Sequence, residues 1–569
     1  MRRRTGKRLV VLLVAMLFAF GGIAVRLATL QVGDHQLSAL GLDQRVRTID
    51  LPAARGRILD RSGVPLAITL EARDLYANPE LVTDPEGEAE QIARILGLKP
   101  KEVRPALEAD GTFAYVARQV DLDVAQQVED LHLAGIGFLW APKRYYPAGA
   151  LASQVLGFVG IDGAGLAGLE EQFDRELAGT PGERKVEVAP GGQPIAQGIN
   201  AETQPIDGVS LRTTIDRDIQ FQTQQALARA VRDNGAKAGM VIVMDPRTGD
   251  ILAMAIFPSF DPNRFADTDP DRWRNRAVTD AFEPGSVNKI ITAAAALESG
   301  TVSLTQRFQV PASMQVDEYT IHDSHPHPVE TMMLSDIVAE SSNIGIAKVA
   351  GVIGKTTLAS YMNRFGFGRT TGLGFPRESD GIVPALDKWS DASLATIAYG
   401  QGISVTPLQM ASVYATIANG GVWVQPRLVS GTVDGTGSFT PSPPSPSHRV
   451  IEAQTAATLT QMLAYVVEGG TGTSAQIPWY QVAGKTGTAL KPDPSGGYYS
   501  DRFVASFIGF LPAGRPQVIV AAILDEPATV YGGIAAAPLF QQVARYAIQK
   551  LGIPTADQVP APPHVLGTP

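Results

Sequence analysis

Glu283-Pro284-Gly285-Ser286-Val287-Asn288-Lys289-Ile290-Ile291-Thr292-Ala293-Ala294-Ala295-Ala296-Leu297 carries the only Ser-x-x-Lys of this 569-residue chain. Pro284 and Gly285 interrupt the chain ahead of the serine, and residues 287–297 are apolar nearly all round, which reads as a buried helix with a polar start. A serine three residues before a lysine lies one turn from it on the same face, as a nucleophile and the amine that takes its proton must. At a helix N-terminus Ser286 also faces unpaired backbone N–H groups and the positive end of the helix dipole, which favour an alkoxide or oxyanion. The competing reading is an N-capping serine, but capping leaves Lys289 unexplained, because a cation in the first turn opposes the dipole. To act as a base, Lys289 must release a proton that lysine ordinarily keeps to about pH 10.4. Burial among Ile290, Ile291 and Ala293 and a second nearby cation both push in that direction.

Two further motifs follow in order. Ser341-Ser342-Asn343 lies between helical runs at 334–339 and 344–352. Its hydroxyl and amide suit a proton relay and a hold on the lysine or on a substrate carbonyl, the plainer reading being a helix junction with ordinary caps. Lys485-Thr486-Gly487-Thr488 falls inside a strand expected over 481–490. Gly487 weakens a strand unless another backbone approaches closely, as when an extended peptide adds to a sheet edge. Lys485 and Thr486 then offer a charge and a hydroxyl to a terminal carboxylate, and Lys485 is also the candidate for the second cation near Lys289.

Outward from these motifs, apolar runs at 239–244 and 250–256 flank Asp245-Pro246-Arg247-Thr248-Gly249, a hairpin signal. Three more strand candidates, 481–490, 502–511 and 517–525, lie near the other end, and a helix is expected over 216–230. Strands from both ends with helical sequence between them predict an antiparallel sheet flanked by helices, an α+β plan. Residues 435–448, with Pro441-Ser442-Pro443-Pro444-Ser445-Pro446, are expected to be a surface loop. Before this unit, residues 27–46 read as a continuing helix, 47–65 as strand and turn, and 88–96 and 122–131 as helices; Gly, Pro, Asn and Gln accumulate from 192 to 208. The expected division is an elongated, non-catalytic pedestal module over 27–208, a catalytic unit over 209–552 and a disordered Pro-rich tail over 553–569.

Arg2, Arg3, Arg4, Lys7 and Arg8 precede an unbroken apolar run from Leu9 to Val25. Seventeen helical residues span roughly 26 Å, enough for a crossing of the hydrocarbon core. Residues 9–26 are therefore expected to form a single transmembrane helix in the cytoplasmic membrane, with 1–8 inside by the positive-inside rule and the catalytic unit outside. A cleaved signal peptide is the alternative, opposed by the length of the run and the lack of a clear Ala-x-Ala site. A net charge of −9 without a long basic patch argues against nucleic acid as a partner. The absence of cysteine excludes disulfides, thiolate zinc sites and cysteine nucleophiles. Ile321-His322-Asp323-Ser324-His325-Pro326-His327-Pro328 imitates a metal tract, but its prolines interrupt any helical spacing, so a loop beside the cleft and no metal are expected. Gly354-Lys355-Thr356 and Gly484-Lys485-Thr486 are not phosphate loops, since Val349 and Trp479 stand where the first glycine belongs.

The three motifs together resemble the penicillin-recognising serine enzymes. Arg55-Gly56-Arg57-Ile58-Leu59-Asp60-Arg61-Ser62-Gly63, Arg144-Tyr145-Tyr146-Pro147, Gly165-Leu166-Ala167-Gly168-Leu169-Glu170 and Ser506-Phe507-Ile508-Gly509-Phe510 extend the resemblance, over nearly the whole chain, to class B penicillin-binding proteins. Ser341-Ser342-Asn343-Ile344-Gly345 is similar to the septal, FtsI-like branch, whereas the elongation branch usually has Asp where Asn343 stands. No sequence resembling a glycosyltransferase domain precedes the second unit. The resemblance implies a D,D-transpeptidase that cross-links peptidoglycan without polymerising it. Ser286 would attack the penultimate D-Ala carbonyl, Lys289 serve as base, Ser341 pass the proton to the leaving D-Ala, and Asn343 hold substrate and Lys289. Lys485 and Thr486 would bind the terminal carboxylate, with Gly487 in the same strand, and the backbone N–H groups of Ser286 and Thr488 would form the oxyanion hole. No cofactor is implied. The implied partners are stem peptides derived from lipid II, β-lactams, a SEDS-type (FtsW-like) glycosyltransferase and other division proteins reached through the membrane helix and pedestal. Among the alternatives, a class A β-lactamase lacks its Glu-x-x-Leu-Asn element between Asn343 and Lys485, and a penicillin sensor lacks an internal signalling domain. An elongation-specific transpeptidase, a D,D-carboxypeptidase and a catalytically dead scaffold share the motifs.

Overall fold

A computed structural model of the protein describes residues 2–33, 45–188, 195, 198–529 and 531–565. The chain divides into two compact units, one of Met1–Ala54 with Gly179–Asp207 and one of Arg55–Ala178 with Gly208–Pro569. The residues expected to form a single pedestal, 27–208, thus fall partly in each.

The first unit begins with the helix Arg2–Gly33. Its stretch Gly6–Thr29, of mean hydropathy 2.5, is long and apolar enough to cross a membrane and keeps its apolar side chains exposed. This is one N-terminal anchor of the length a bilayer requires. The helix expected to continue over 27–46 is present to Gly33, a strand begins at Val46, and residues 34–44 lie outside the described residues. Strands Val46–Leu51, Gly182–Glu187 and Asn200–Thr203 make a small antiparallel sheet. Of the Gly-rich stretch expected at 192–208, residues 192–194, 196 and 197 lie outside the described residues.

In the second unit the expected α+β plan is built on a five-stranded antiparallel sheet. Its strand order is Ile251–Phe257, Ala238–Met244, Val518–Asp525, Tyr498–Leu511 and Ala483–Pro492. Alternate residues of Ala238–Met244 feed two separate cores, as the period of two requires. Val241 and Val243 pack with Leu227 of the helix Arg217–Asp233 and Phe540 of Ala537–Leu551, while Ile242 and Met244 join the core around Ile290, Ile291 and Leu408. Helices on both faces explain why these strands read as continuous apolar runs rather than as alternation.

Residues 55–178 are joined to this body. Ile58–Leu59 lies parallel to Ser210–Thr213, which pairs in turn with Val429–Val433. Glu170, fully buried, accepts from Arg55 Nε at 2.6 Å, Arg144 Nε at 2.7 Å and Tyr146 Oη at 3.2 Å, so two buried cations share one carboxylate. Two expectations are corrected. The loop 435–448 contains the short strands Phe439–Pro441 and Ser447–Arg449, which pair with neighbouring strands. Residues 554–565, expected to be disordered, run extended against the body. Gln481 exchanges bonds with Val559 at 2.7 and 3.1 Å, and His564 stacks on Tyr465 with ring centroids 4.8 Å apart. Prolines lack an N–H but keep a carbonyl, and this segment docks partly through its carbonyls. Residues 566–569 lie outside the described residues.

Candidate active site

Ser286 lies on a 3₁₀ turn, Gly285–Asn288, that leads into the helix Lys289–Glu298. It is therefore not the N-cap of that helix; Asn288 takes that position and donates its Nδ2 to Ile397 O at 2.8 Å. Gly285 has φ +57, and a Cβ there would lie 2.8 Å from Thr488 O, so only glycine lets the serine turn approach the edge strand Ala483–Pro492 this closely. Its N–H donates to Gly400 O at 3.0 Å, which fixes the turn from the other side.

Lys289 is fully buried. Its Nζ is 3.0 Å from Ser286 Oγ and 3.1 Å from Ser341 Oγ, and it also donates to the Ser341 carbonyl. Burial first and Lys485 second push its pKa well below the ordinary lysine value, against an opposing pull from Asp323. Lys485, equally buried, is brought down to about 7 by burial, opposed by Glu340. Its Nζ lies 3.3 Å from Thr486 Oγ1 and 3.4 Å from Thr471 Oγ1, and those two hydroxyls are 2.8 Å apart. Neither amine faces solvent; both sit beneath hydroxyls of Ser286, Ser341, Thr471 and Thr486 that line the cleft.

The cleft, of about 720 Å³, is lined by Ser286, Ser341, Asn343, Thr486 and Thr488, with Tyr399 and Tyr531 among its aromatic walls. Lys485-Thr486-Gly487-Thr488 lies in the edge strand of the sheet, and no strand pairs with its outer edge among the described residues. Gly487 was expected to admit a substrate backbone. In the structure the space is used by the protein itself: a Cβ there would meet Ser506 Oγ at 2.3 Å, Val287 Cγ1 at 3.0 Å and Pro284 O at 3.2 Å. The three motifs, far apart in sequence, thus converge on Lys289 Nζ and the cleft above it.

The Ser341 turn is held from outside its own motif. Ser341 has φ +59, and Ser342 caps the helix Asn343–Arg364 by accepting from Gly345 N at 2.8 Å. Asp323 accepts from Ser342 Oγ at 2.6 Å, Asn343 N at 2.5 Å and Ile344 N at 3.0 Å, with His327 Nε2 at 3.1 Å. In the sequence Asp323 stands only within a tract that imitates a metal site, and its distance from Asn343 gives no local signal. The tract does border the cleft, where His325 faces Tyr531 with ring centroids 6.1 Å apart. Among the described residues no cluster of three or more His, Asp or Glu side chains is arranged to hold a metal ion. Tyr399, Gln401, Thr471 and Phe503 also line the cleft without having been singled out. The geometry permits proton transfer from the Ser286 hydroxyl to a neutral Lys289 and onward through Ser341, which is what acyl transfer to a serine needs.

Known proteins resemble this chain in sequence and fold. Residues 239–545 match the family model described as the penicillin binding protein transpeptidase domain, and residues 50–213 that of the penicillin-binding protein dimerisation domain. The chain is 38% identical to penicillin-binding protein PbpB of Mycobacterium tuberculosis, over 99% of this chain and 87% of the relative. It is 33% identical to the peptidoglycan D,D-transpeptidase FtsI of Escherichia coli K12, over 95% and 91% respectively. The crystal structure of penicillin binding protein 3 from Mycobacterium tuberculosis complexed with aztreonam is similar in fold, with a TM-score of 0.71 at 34% identity, covering 90% of this chain and all of that one.

Proposed function

Because this chain belongs to the class B penicillin-binding proteins, the serine-type peptidoglycan D,D-transpeptidases, we propose that Ser286 is its nucleophile and Lys289 the base that activates it. The observation that carries this reading is a fully buried amine 3.0 Å from one hydroxyl and 3.1 Å from another. As Ser286 Oγ bonds to the penultimate D-Ala carbonyl carbon, its proton moves to neutral Lys289. The backbone N–H groups of Ser286 and Thr488 receive the oxyanion. The proton then passes through Ser341 Oγ to the departing D-Ala nitrogen, the C–N bond breaks and an ester on Ser286 remains. An amine from a neighbouring stem peptide attacks that ester, returns its proton along the same path and leaves a new amide with Ser286 free. Thr486, with Lys485 beneath it, receives the terminal carboxylate, and Asn343 holds the substrate amide. A β-lactam acylates the same serine, its ring opening in place of D-Ala release.

The N-terminal helix anchors the protein to the membrane once, and we assign residues 1–8 to the cytoplasm and the catalytic unit to the outer face on the strength of the flanking cations. We further assign the enzyme to septal wall synthesis, with a SEDS-type glycosyltransferase as polymerase partner, on the strength of Asn343 and of similarity to FtsI. The test is fluorescent-penicillin labelling of the purified protein together with Ser286→Ala, which is expected to abolish the label. Incubation with lipid-linked pentapeptide and a polymerase is expected to yield cross-linked dimers. Label surviving in Ser286→Ala sinks the nucleophile assignment, and D-Ala release without dimers indicates a carboxypeptidase. Depletion that stops elongation while septation continues overturns the septal role.

A further inference from the structure

The Ser341 turn adopts a conformation that its own sequence does not favour. A non-glycine residue in the left-handed region, as Ser341 is at φ +59, persists only where its surroundings over-determine it. That conformation directs both the carbonyl and the hydroxyl of one residue at a single amine, since Lys289 Nζ donates to Ser341 O and lies 3.1 Å from Ser341 Oγ. The restraint on the downstream side comes from His322, the last residue of the strand Tyr319–His322, and from Asp323, which follows it. Asp323 Oδ1 accepts the Asn343 and Ile344 N–H groups at 2.5 and 3.0 Å, Asp323 Oδ2 accepts the Ser342 hydroxyl at 2.6 Å, and His322 O accepts Asn343 Nδ2 at 3.1 Å. A carboxylate on the first N–H groups of a helix is held by charge-assisted bonds and by the dipole. His327 Nε2, 3.1 Å from Oδ2, fixes the carboxylate in turn.

We propose that Asp323 is a positioning residue for the reaction: by gripping Ser342, Asn343 and Ile344 it keeps Ser341 left-handed, with its hydroxyl on Lys289, while touching no reacting atom. The alternative is that Asp323 only caps a helix. Ser342 already caps the helix Asn343–Arg364 through Gly345, so a second cap adds about 1 kcal/mol of stability and leaves the chemistry alone. The proposal rests on the roles given above to Ser286 and Lys289.

The test separates rate from stability. Acylation by fluorescent penicillin is followed over time in Asp323→Asn and Asp323→Ala, and in each combined with Ser341→Ala, with a thermal melt of every variant. Asparagine keeps the size and one acceptor oxygen, so Asp323→Asn serves if the alanine variant does not fold. The maximal acylation rate of Asp323→Asn is expected to fall by about tenfold or more, the effect of a small misplacement of a relay group, with the half-saturating penicillin concentration unchanged within about twofold. In the Ser341→Ala background the same substitution should slow acylation by less than about twofold, because its effect runs through the missing hydroxyl. The proposal is overturned if Asp323→Asn acylates within about twofold of the parent, or if it slows acylation equally with and without the Ser341 hydroxyl. Label retained by Ser286→Ala refutes the nucleophile instead, whatever the Asp323 variants do.

Discussion

Replacing Lys485 with Met should make this protein more stable and less active at once. Lys485 titrates at about 7 when folded, against 10.5 ordinarily. A gap of about 3.5 pH units, at 1.36 kcal/mol each, means that a protonated Lys485 opposes folding by about 5 kcal/mol. The unfolded chain binds this proton more tightly than the folded one. The penalty is therefore full below about pH 7, shrinks as the pH rises and is gone above pH 10.5. Methionine gives up the contacts of Nζ with Thr486 O and Thr486 Oγ1 at 3.3 Å and Thr471 Oγ1 at 3.4 Å, each worth about 1 kcal/mol at most. The balance favours the variant by about 2 kcal/mol at pH 6, or about 4 °C in Tm for a domain of this size. Near pH 10 the order should reverse. Acylation should fall because the carboxylate loses its cation. Its acidic limb should also move to higher pH, since Lys485 is the second cause of the depressed Lys289 pKa. Thermal melts from pH 6 to 10 and acylation profiles over the same range supply the measurements. A variant less stable than the parent at pH 6, a stability difference that ignores pH, or an unmoved acidic limb refutes the reasoning.

Gly487→Ala should lower stability by about 1–3 kcal/mol and acylation by about tenfold to a hundredfold. Ser506 Oγ, buried without a partner among the described residues, can rotate away from the new methyl, but Val287 and Pro284 flank the nucleophile and pass the displacement to Ser286. Adding Ser506→Gly should therefore restore part of the Tm and little of the rate; a parental acylation rate in Gly487→Ala would contradict the close packing described. Glu170→Ala removes the carboxylate that Arg55 and Arg144 share, leaving Arg144 buried without an acidic partner among the described residues while Arg55 keeps Asp174 at 2.7 Å, and should cost about 3–5 kcal/mol. A thermal melt checks this, with a Tm within about 2 °C of the parent as the contrary result, and acylation per folded molecule is expected to be unchanged.

What the sequence made legible follows from which forces act locally. The strand expected over 517–525 is Val518–Asp525, a short apolar run with clear breakers, and the helix expected over 334–339 is Leu334–Ala339. The serine, the two lysines and the Ser341 turn were found through spacing and order, and burial with Lys485 as the second cause of the depressed Lys289 pKa was found through electrostatics alone. The grip of Asp323 was not legible, because it joins two segments distant in sequence and Asp323 itself sits in a stretch that resembles a metal tract. Nor was the joining of residues 55–178 to the catalytic body, which passes through a two-residue strand, Ile58–Leu59, too short to leave a pattern. The 3₁₀ turn under Ser286 escaped notice because it differs from the first turn of an α-helix only in its hydrogen-bond spacing.

Gly285 and Gly400 bring main chain against main chain around the nucleophile and Gly487 brings it against the side chains of Ser506 and Val287, so that an added methyl at any of the three would strike a neighbour. Such a centre has little evolutionary freedom, since a change there injures the reaction with the natural substrate as much as acylation by an inhibitor. Room for change is left at other residues lining the cleft, such as Tyr399, Gln401, Leu490, Phe503, Tyr531 and Ile534. An inhibitor that confines itself to the volume between Ser286, Ser341 and Thr488 would leave selection the fewest positions on which to act.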